Sequence, residues 1–534
     1  MTNQPNATDS TTPSPRRVFE NGGARCRRGR YWLAAALLAG LASTGLSATT
    51  LIRGATLIDG TGAPARQASL RIDGDLIQAI GQLSIEPGES VIDATGLVLA
   101  PGFIDTHSHH DLGIDAQPDA LPVVSQGVTT IVRGQDGFSD DDRKHYTPLA
   151  EFSRRLEAQP VAVNIASFAP HNSIRYAVLG DNYRREATTD EIEIMTGLVA
   201  QDMAAGALGL STGLEYDPGI YASTAEVVAL AKIAAEAGGR YSSHLRSEDR
   251  TFWQAVDEII SIGRLAKLPV HISHIKLGAK YLWGQTDRLL EHLDAARADG
   301  IDITADIYPY EYWQATITVL FPARDYTSRE TAAYILEYLV PAEDLTVARY
   351  DADPSLTGKS IADIANQRGD DDISTLIDIT VHGDEANRRA GGPPEQVIAR
   401  GMQRQDIVRL MAWPHTSICS DGSLESRHPR GSGSFPRVLK RYTGDDGQLT
   451  LVEAIHKMTG LAARNSGILD RGTLRPGAFA DLVLFDPVVI EDRATYEQPD
   501  LQSVGIERVW VNGITVFRAG NPTGARPGKP VYPD

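Results

Sequence analysis

Eight short apolar segments recur through the middle of the chain: "GFIDTH", "VTTIV", "VAVNIASFA", "ALGLS", "RYSSHL", "VHISHI", "IDITADIY" and "TSICSDG". The first seven begin roughly 25 to 45 residues apart, leaving room for a helix in each interval. That is the spacing of βα units. Eight such strands across about 365 residues predict an α/β fold, a (β/α)8 barrel of the TIM type, whose functional side chains stand at the C-terminal ends of the strands.

Independent signals place helices between the strands. Thr188 and Glu191 are spaced as a capping box ahead of Ile192, Met195 and Val199, and Ser223 and Glu226 as another before a segment that stops at Gly238-Gly239. Phe252, Val256, Ile259 and Ile260 form an apolar stripe of helical period. The long interval between "DIYPYEY" and "TSICSDG" exceeds a simple crossover and predicts an insertion at about 313–412.

Both ends of the chain read differently. "TTLIRGATLIDGTGAPARQASLRIDGDLIQAIG" and, near the far end, "GAFADLVLFDP" and "IERVWVNGITVFRAG" show β-branched runs broken by tight turns. Residues 49–100 and 467–534 are expected to join in one small β-sandwich, with the barrel over 101–466.

Residues 1–48 combine the basic patch "RCRRGR", the apolar run "YWLAAALLAGLA" and small residues ending at Ala48, the anatomy of an export signal. The run is shorter than the roughly 20 residues of a spanning helix. A periplasmic or extracellular destination follows, with twin-arginine export through Arg27 and Arg28, or retention as an uncleaved anchor, left open. Removing the segment moves the formal charge from -18 to -22, because it carries six Lys/Arg against two Asp/Glu. So acidic a protein is not built for nucleic acid. Of the two cysteines only Cys419 remains after cleavage, so no intrachain disulfide forms.

The strand ends carry the chemistry. In "GFIDTHSHHD", His107 and His109 share one direction while His110 points elsewhere, and two imidazoles on one face can share a metal. "YSSHLRSE" and "VHISHIK" bring His244 and His274 to the same rim; His274 is favoured over His271 because it lies nearer the strand end. "ICSDG" adds Asp421, a carboxylate able to exchange protons with water at a metal, although Asp-Gly is also an ordinary turn. Histidines and a carboxylate converging from separate strands point to a hydrolytic metal site.

"GFIDTHSHHD" and "GTLRPGAFADLVLFDP" resemble the amidohydrolase superfamily. More narrowly, "GALGLSTGLEYDPGIYAS", "YSSHLRSE", "HISHIK", "DIYPY", "HPRGSGSFPRVLKRY" and "GNPTGARPGKPV" resemble the D-aminoacylases, the N-acyl-D-amino-acid deacylases. The resemblance covers nearly all of residues 50 to 530. It implies zinc, as one or two divalent ions, and hydrolysis of a small N-acyl-D-amino acid. It also implies a ligand at the end of the second strand, where the family carries a cysteine and "RGQDG" carries Asp136. A carboxylate is a harder ligand than a thiolate and opens the site to manganese or another metal. The metal set implied is therefore His107, His109, Asp136, His244 and His274, with Asp421 taking a proton from water and returning it to the leaving amine. D-dipeptides and cyclic amides are related substrates that barrel and metal site alone leave open.

An N-acyl amino acid brings a carboxylate that needs local cations. Arg430 and Lys276 are the candidates, with Tyr216 and Tyr308 completing the pocket. "GLSTG" matches a nucleophile elbow around Ser211, but "LEYDPG" follows where a helix would have to start, which argues against a serine nucleophile. Cys419 is expected to pack.

Overall fold

The computed structural model describes residues 49–139, 145–390, 395–425, 427–443 and 448–533. The expected export segment lies outside them. Among the described residues no helix is long and apolar enough to cross a membrane.

All eight apolar segments form strands: Phe103–Asp105, Val128–Arg133, Asn164–Ser167, Gly209–Gly213, Arg240–His244, Val270–Ile272, Ile303–Ile307 and Thr416–Ile418. Each pairs in parallel with the next, and the third reaches the fourth through Ala169–Pro170. The seam between the eighth and the first strand is closed by groups just past the strand ends. The Asp421 N–H donates to the His107 carbonyl at 2.9 Å, and the His109 N–H to the Gly422 carbonyl at 2.8 Å. The barrel thus closes on residues that the motifs singled out.

The helices follow their local signals with one exception. Thr188 and Glu191 form a full capping box at the start of Thr189–Ala204. At Thr224–Glu236, Ser223 caps as expected, but the Glu226 side chain turns inward and accepts from the Arg175 guanidinium at 2.9 Å, with His171 Nε2 also 2.9 Å away. A buried arginine outcompetes the cap for that carboxylate. Phe252–Ala266 buries the predicted stripe.

Between the seventh and eighth strands lies an insertion built on an antiparallel sheet of Tyr312–Ala315, Glu395–Arg400 and Leu345–Tyr350. It ends short of the expected residue 412. Arg404–Ala412 packs against the preceding barrel helix Thr286–Ala298 and against the last two strands, which makes it the ordinary crossover helix.

The chain ends meet in a nine-stranded sheet. Val98–Pro101 lies antiparallel to Leu482–Phe485, and Ile52, Leu70, Leu99, Leu482 and Trp510 form a core separate from that of the barrel. The tail does not stay in this sheet, as the 467–534 boundary would have it. Pro530–Val531 returns to the barrel and pairs in parallel with Ile165–Ala166 of the third strand.

Candidate metal centre

Past the second strand the chain turns through Gly134, Asp136 and Gly137, all with positive φ. A Cβ at Gly134 would lie 2.5 Å from the Phe168 carbonyl oxygen, and one at Gly137 2.5 Å from Asn172 Oδ1. Only glycine lets the turn pack this closely, and the turn buries Asp136 at the rim. His274 (φ 35°) and Asp421 (φ 50°), also beyond their strands, join Asp136 (φ 54°) in the left-handed region. Each such non-glycine residue costs on the order of 1 kcal/mol, and three of them crowd into one site.

The side chains converge. His107 Nε2 is 3.4 Å from Asp136 Oδ1, His274 Nε2 is 3.5 Å from the same oxygen, and His109 Nε2 is 3.4 Å from Asp136 Oδ2. Asp421 Oδ1 stands 3.5 Å from His109 Nε2 and 3.7 Å from His107 Nε2. His244 Nδ1 approaches His274 Nε2 at 3.1 Å. Apart from the His244–His274 approach, these separations are long for hydrogen bonds. Two donors bound to one ion at about 2.1 Å with tetrahedral angles sit about 3.4 Å apart, which is the spacing found here.

Both nitrogens of the fully buried His107 and Oδ1 of Asp136 have no hydrogen-bond partner, a costly arrangement unless an ion satisfies them. One ligand atom from each of His107, Asp136, His274 and Asp421 fits within a 4.8 Å span, and so does one from each of His244, Glu248 and His274. The all-nitrogen and oxygen donor set fits a divalent ion of zinc or manganese type.

Protonation states follow the crowding. Burial opposes the Asp136 charge, but the surrounding imidazoles of His107, His109 and His274 outweigh it and hold the carboxyl well below its usual range. Against the effect of burial, Asp136 and Asp421 push His109 up to about 10. Burial and Lys276 oppose the charge on His274, yet Glu248, Asp421 and Asp136 bring it up to about 9. Burial takes His244 down to about 4. Burial also opposes the Asp421 charge, but Arg430 and His274 keep its carboxyl low.

The predicted neighbours line one adjoining cleft, in which Tyr216, Lys276, Tyr308 and Arg430 meet His244, His274 and Asp421. Arg430 donates to Asp421 Oδ2 at 2.6 Å. Lys276 Nζ donates to both Glu248 oxygens at 2.6 and 2.7 Å. The Tyr308 ring lies 4.9 Å from the Arg430 guanidinium and 5.8 Å from the Lys276 ammonium, and its hydroxyl is buried without a partner. Those three side chains stand together in one corner of the cleft.

The rejected alternatives have structural places. His110 lies 2.9 Å from Ser108 Oγ and from the Gly431 carbonyl. His271 Nε2 is 3.0 Å from Asp306 Oδ2, while Asp306 Oδ1 accepts the His274 N–H at 2.6 Å. Ser211 is fully buried inside the fourth strand. Cys419 packs in the core as a free thiol.

Sequence reasoning missed Glu248, Glu215 and Asp306. Glu248 lies 3.2 Å from His274 Nδ1, and Glu215 2.9 Å from His244 Nε2. Glu248 sat within the quoted "YSSHLRSE", four residues past His244, and the rule that strand ends carry function would have reached it. Asp306 lies inside a strand, where only tertiary contacts distinguish a supporting carboxylate.

A closed (β/α)8 barrel with a histidine and carboxylate cluster at its C-terminal rim defines a metal-site hydrolase scaffold. The amidohydrolase family pattern matches residues 90–517, and the chain belongs to that family. It is 36% identical to the D-aminoacylase of Alcaligenes xylosoxydans xylosoxydans over 90% of this chain and 96% of that protein. It is also 36% identical to the N-acyl-D-glutamate deacylase of the same organism, over 90% of this chain and 95% of that one. The crystal structure of an N-acyl-D-glutamate deacylase from Bordetella bronchiseptica, complexed with zinc and a phosphonate mimic of the tetrahedral intermediate, superposes with a TM-score of 0.80 at 34% identity. It covers 90% of this chain and 99% of that one.

Proposed function

We propose that the protein is an exported, metal-dependent hydrolase that cleaves the amide bond of N-acyl-D-amino acids to a carboxylate and a free D-amino acid. The observation that carries this reading is the convergence of His107, His109, Asp136, His244, His274 and Asp421 beside the corner formed by Lys276, Tyr308 and Arg430. The reading of the substrate as an N-acyl-D-amino acid is supported by what the relatives are named for acting on.

His107, His109, Asp136, His244 and His274 would hold the ion, zinc in the first instance, with room for a second. A divalent ion there polarises the acyl carbonyl and lowers the pKa of water. Asp421, held as a carboxylate by Arg430 and His274, accepts the proton of the attacking water and delivers it to the amine nitrogen as the C–N bond breaks. Arg430, Lys276 and Tyr308 hold the α-carboxylate of the substrate, and burial at the rim keeps bulk water from competing for those groups.

Metal analysis of the purified protein, combined with a panel of N-acetyl-D- and N-acetyl-L-amino acids, D-dipeptides and lactams, tests the reading. One to two equivalents of divalent metal and turnover confined to the N-acyl-D compounds are expected. Turnover of lactams or dipeptides in their place would assign a different amide. Recovery of the mature chain outside the cytoplasm with a new N-terminus near residue 49 would establish export, and a cytoplasmic chain with its first residues intact would refute it.

A further inference from the structure

Identity does not choose among substrates here, because relatives named for D-aminoacylase and N-acyl-D-glutamate deacylase stand at the same 36%. The cleft does. Its wall away from the metal cluster comes from the insertion, and Trp313, Ala315, Val319, Leu320, Leu339 and Val340 form it. Among the described residues, the cationic side chains in the lining apart from the site histidines are Lys276 and Arg430. Lys276 is already paired with Glu248, and Arg430 with Asp421. Glu215 and Asp249 add further carboxylates to the same lining.

The substrate α-carboxylate takes up the Arg430, Lys276 and Tyr308 corner, and a second carboxylate on the side chain would find apolar groups and like charge. Burying an unpaired carboxylate against such a wall is strongly unfavourable. An apolar side chain placed there leaves water at no electrostatic cost.

Arg430 Nη2 donates to the Gln314 carbonyl at 3.3 Å, within the strand that carries Trp313 and Ala315, so the wall adjoins the guanidinium that would hold the α-carboxylate. The side chain branches from the same carbon as the carboxylate that Arg430 holds, whereas the acyl group lies beyond the amide carbonyl.

We propose that the cleft selects N-acyl-D-amino acids with apolar side chains, such as those of leucine or phenylalanine, and rejects the acidic ones. The inference rests on the N-acyl-D-amino-acid reading above. Its test compares kcat/KM of the metal-loaded enzyme for N-acetyl-D-leucine, N-acetyl-D-phenylalanine, N-acetyl-D-glutamate and N-acetyl-D-aspartate, with acyl chains of two to eight carbons on D-leucine and on D-glutamate.

A preference of about 100-fold or more for the apolar compounds, little changed by acyl length, is expected. In Val319→Arg, at the half-buried wall, the ratio of D-glutamate to D-leucine turnover should rise about tenfold or more. Inhibition by free D-leucine but not by free D-glutamate gives a measurement independent of that variant. Preference for the D-glutamate or D-aspartate compound overturns the proposal and leaves the hydrolase reading standing. A preference set by acyl length rather than side chain also overturns it, by giving the wall to the acyl group. Absence of turnover on every N-acyl-D-amino acid defeats the hydrolase reading itself.

Discussion

At the scale of single residues, the site is held by donors that each lack something the others supply. His107 is buried with neither nitrogen satisfied, and Asp136 has an orphaned oxygen facing it. Asp136→Ala should therefore lower metal content by tenfold or more after dialysis, read by elemental analysis, and retention of full metal would remove Asp136 from the ligand set. Asp421→Asn keeps the shape but cannot accept a proton, so kcat should fall about 10²- to 10⁴-fold while metal stays bound. Near-normal turnover with metal bound would end its role as the base. Two imidazoles, His109 at about 10 and His274 at about 9, carry protons at pH 8 in the metal-free protein. Metal must displace those protons, so loading should acidify a weakly buffered solution and apparent metal affinity should fall as pH is lowered. A pH-stat trace with no proton release would contradict this.

At the scale of elements, local chemistry and tertiary demand can be separated. The Thr188 box at Thr189–Ala204 is purely local, and Thr188→Ala should cost about 1 kcal/mol of stability. Glu226 began from the same sequence pattern but serves a different purpose. It is fully buried with Arg175, which is itself fully buried, so Glu226→Ala leaves an unpaired interior cation. The expected loss is about 3–5 kcal/mol, visible as a much larger drop in melting temperature than Thr188→Ala produces. Equal drops would show that Glu226 acts only as a cap. The pattern Ser-x-x-Glu was legible; that an arginine some 51 residues away would claim the glutamate was not. The same limit applies to His271 and His274. Their strand ends at Ile272, so period-two alternation no longer orients His274, whose positive φ carries it to the rim.

At the scale of the whole molecule, the barrel and the joined chain ends were readable from patterns that run over many residues, and the insertion, though not its end, from the length of the interval between the seventh and eighth strands. The closing tail was not. Pro530–Val531 is too short for any pattern, yet it adds a strand beside Asn164–Ser167 and buries Val531. The metal centre also bears on the whole chain, since its proposed ligands and the Asp421 base come from five separate strand ends around the barrel mouth. A metal that binds only the folded state stabilises it by mass action, by about 2.7 kcal/mol at a hundredfold excess over Kd. Chelation should lower the melting temperature by several degrees and re-addition should restore it; an unchanged melting temperature would place the metal outside this site.

By itself the sequence determined the class of chain: the βα rhythm, the β-rich ends, and the histidines and carboxylates at successive strand ends. These are properties of neighbouring residues and of period, and they survive without coordinates. Only the tertiary structure decided which carboxylates face which imidazoles, that Glu226 serves Arg175, that Asp306 supports His274, and that an apolar wall from the insertion stands beside Arg430. Those outcomes depend on contacts between residues tens to hundreds of positions apart. Burial and charge select among such contacts only once the barrel has closed.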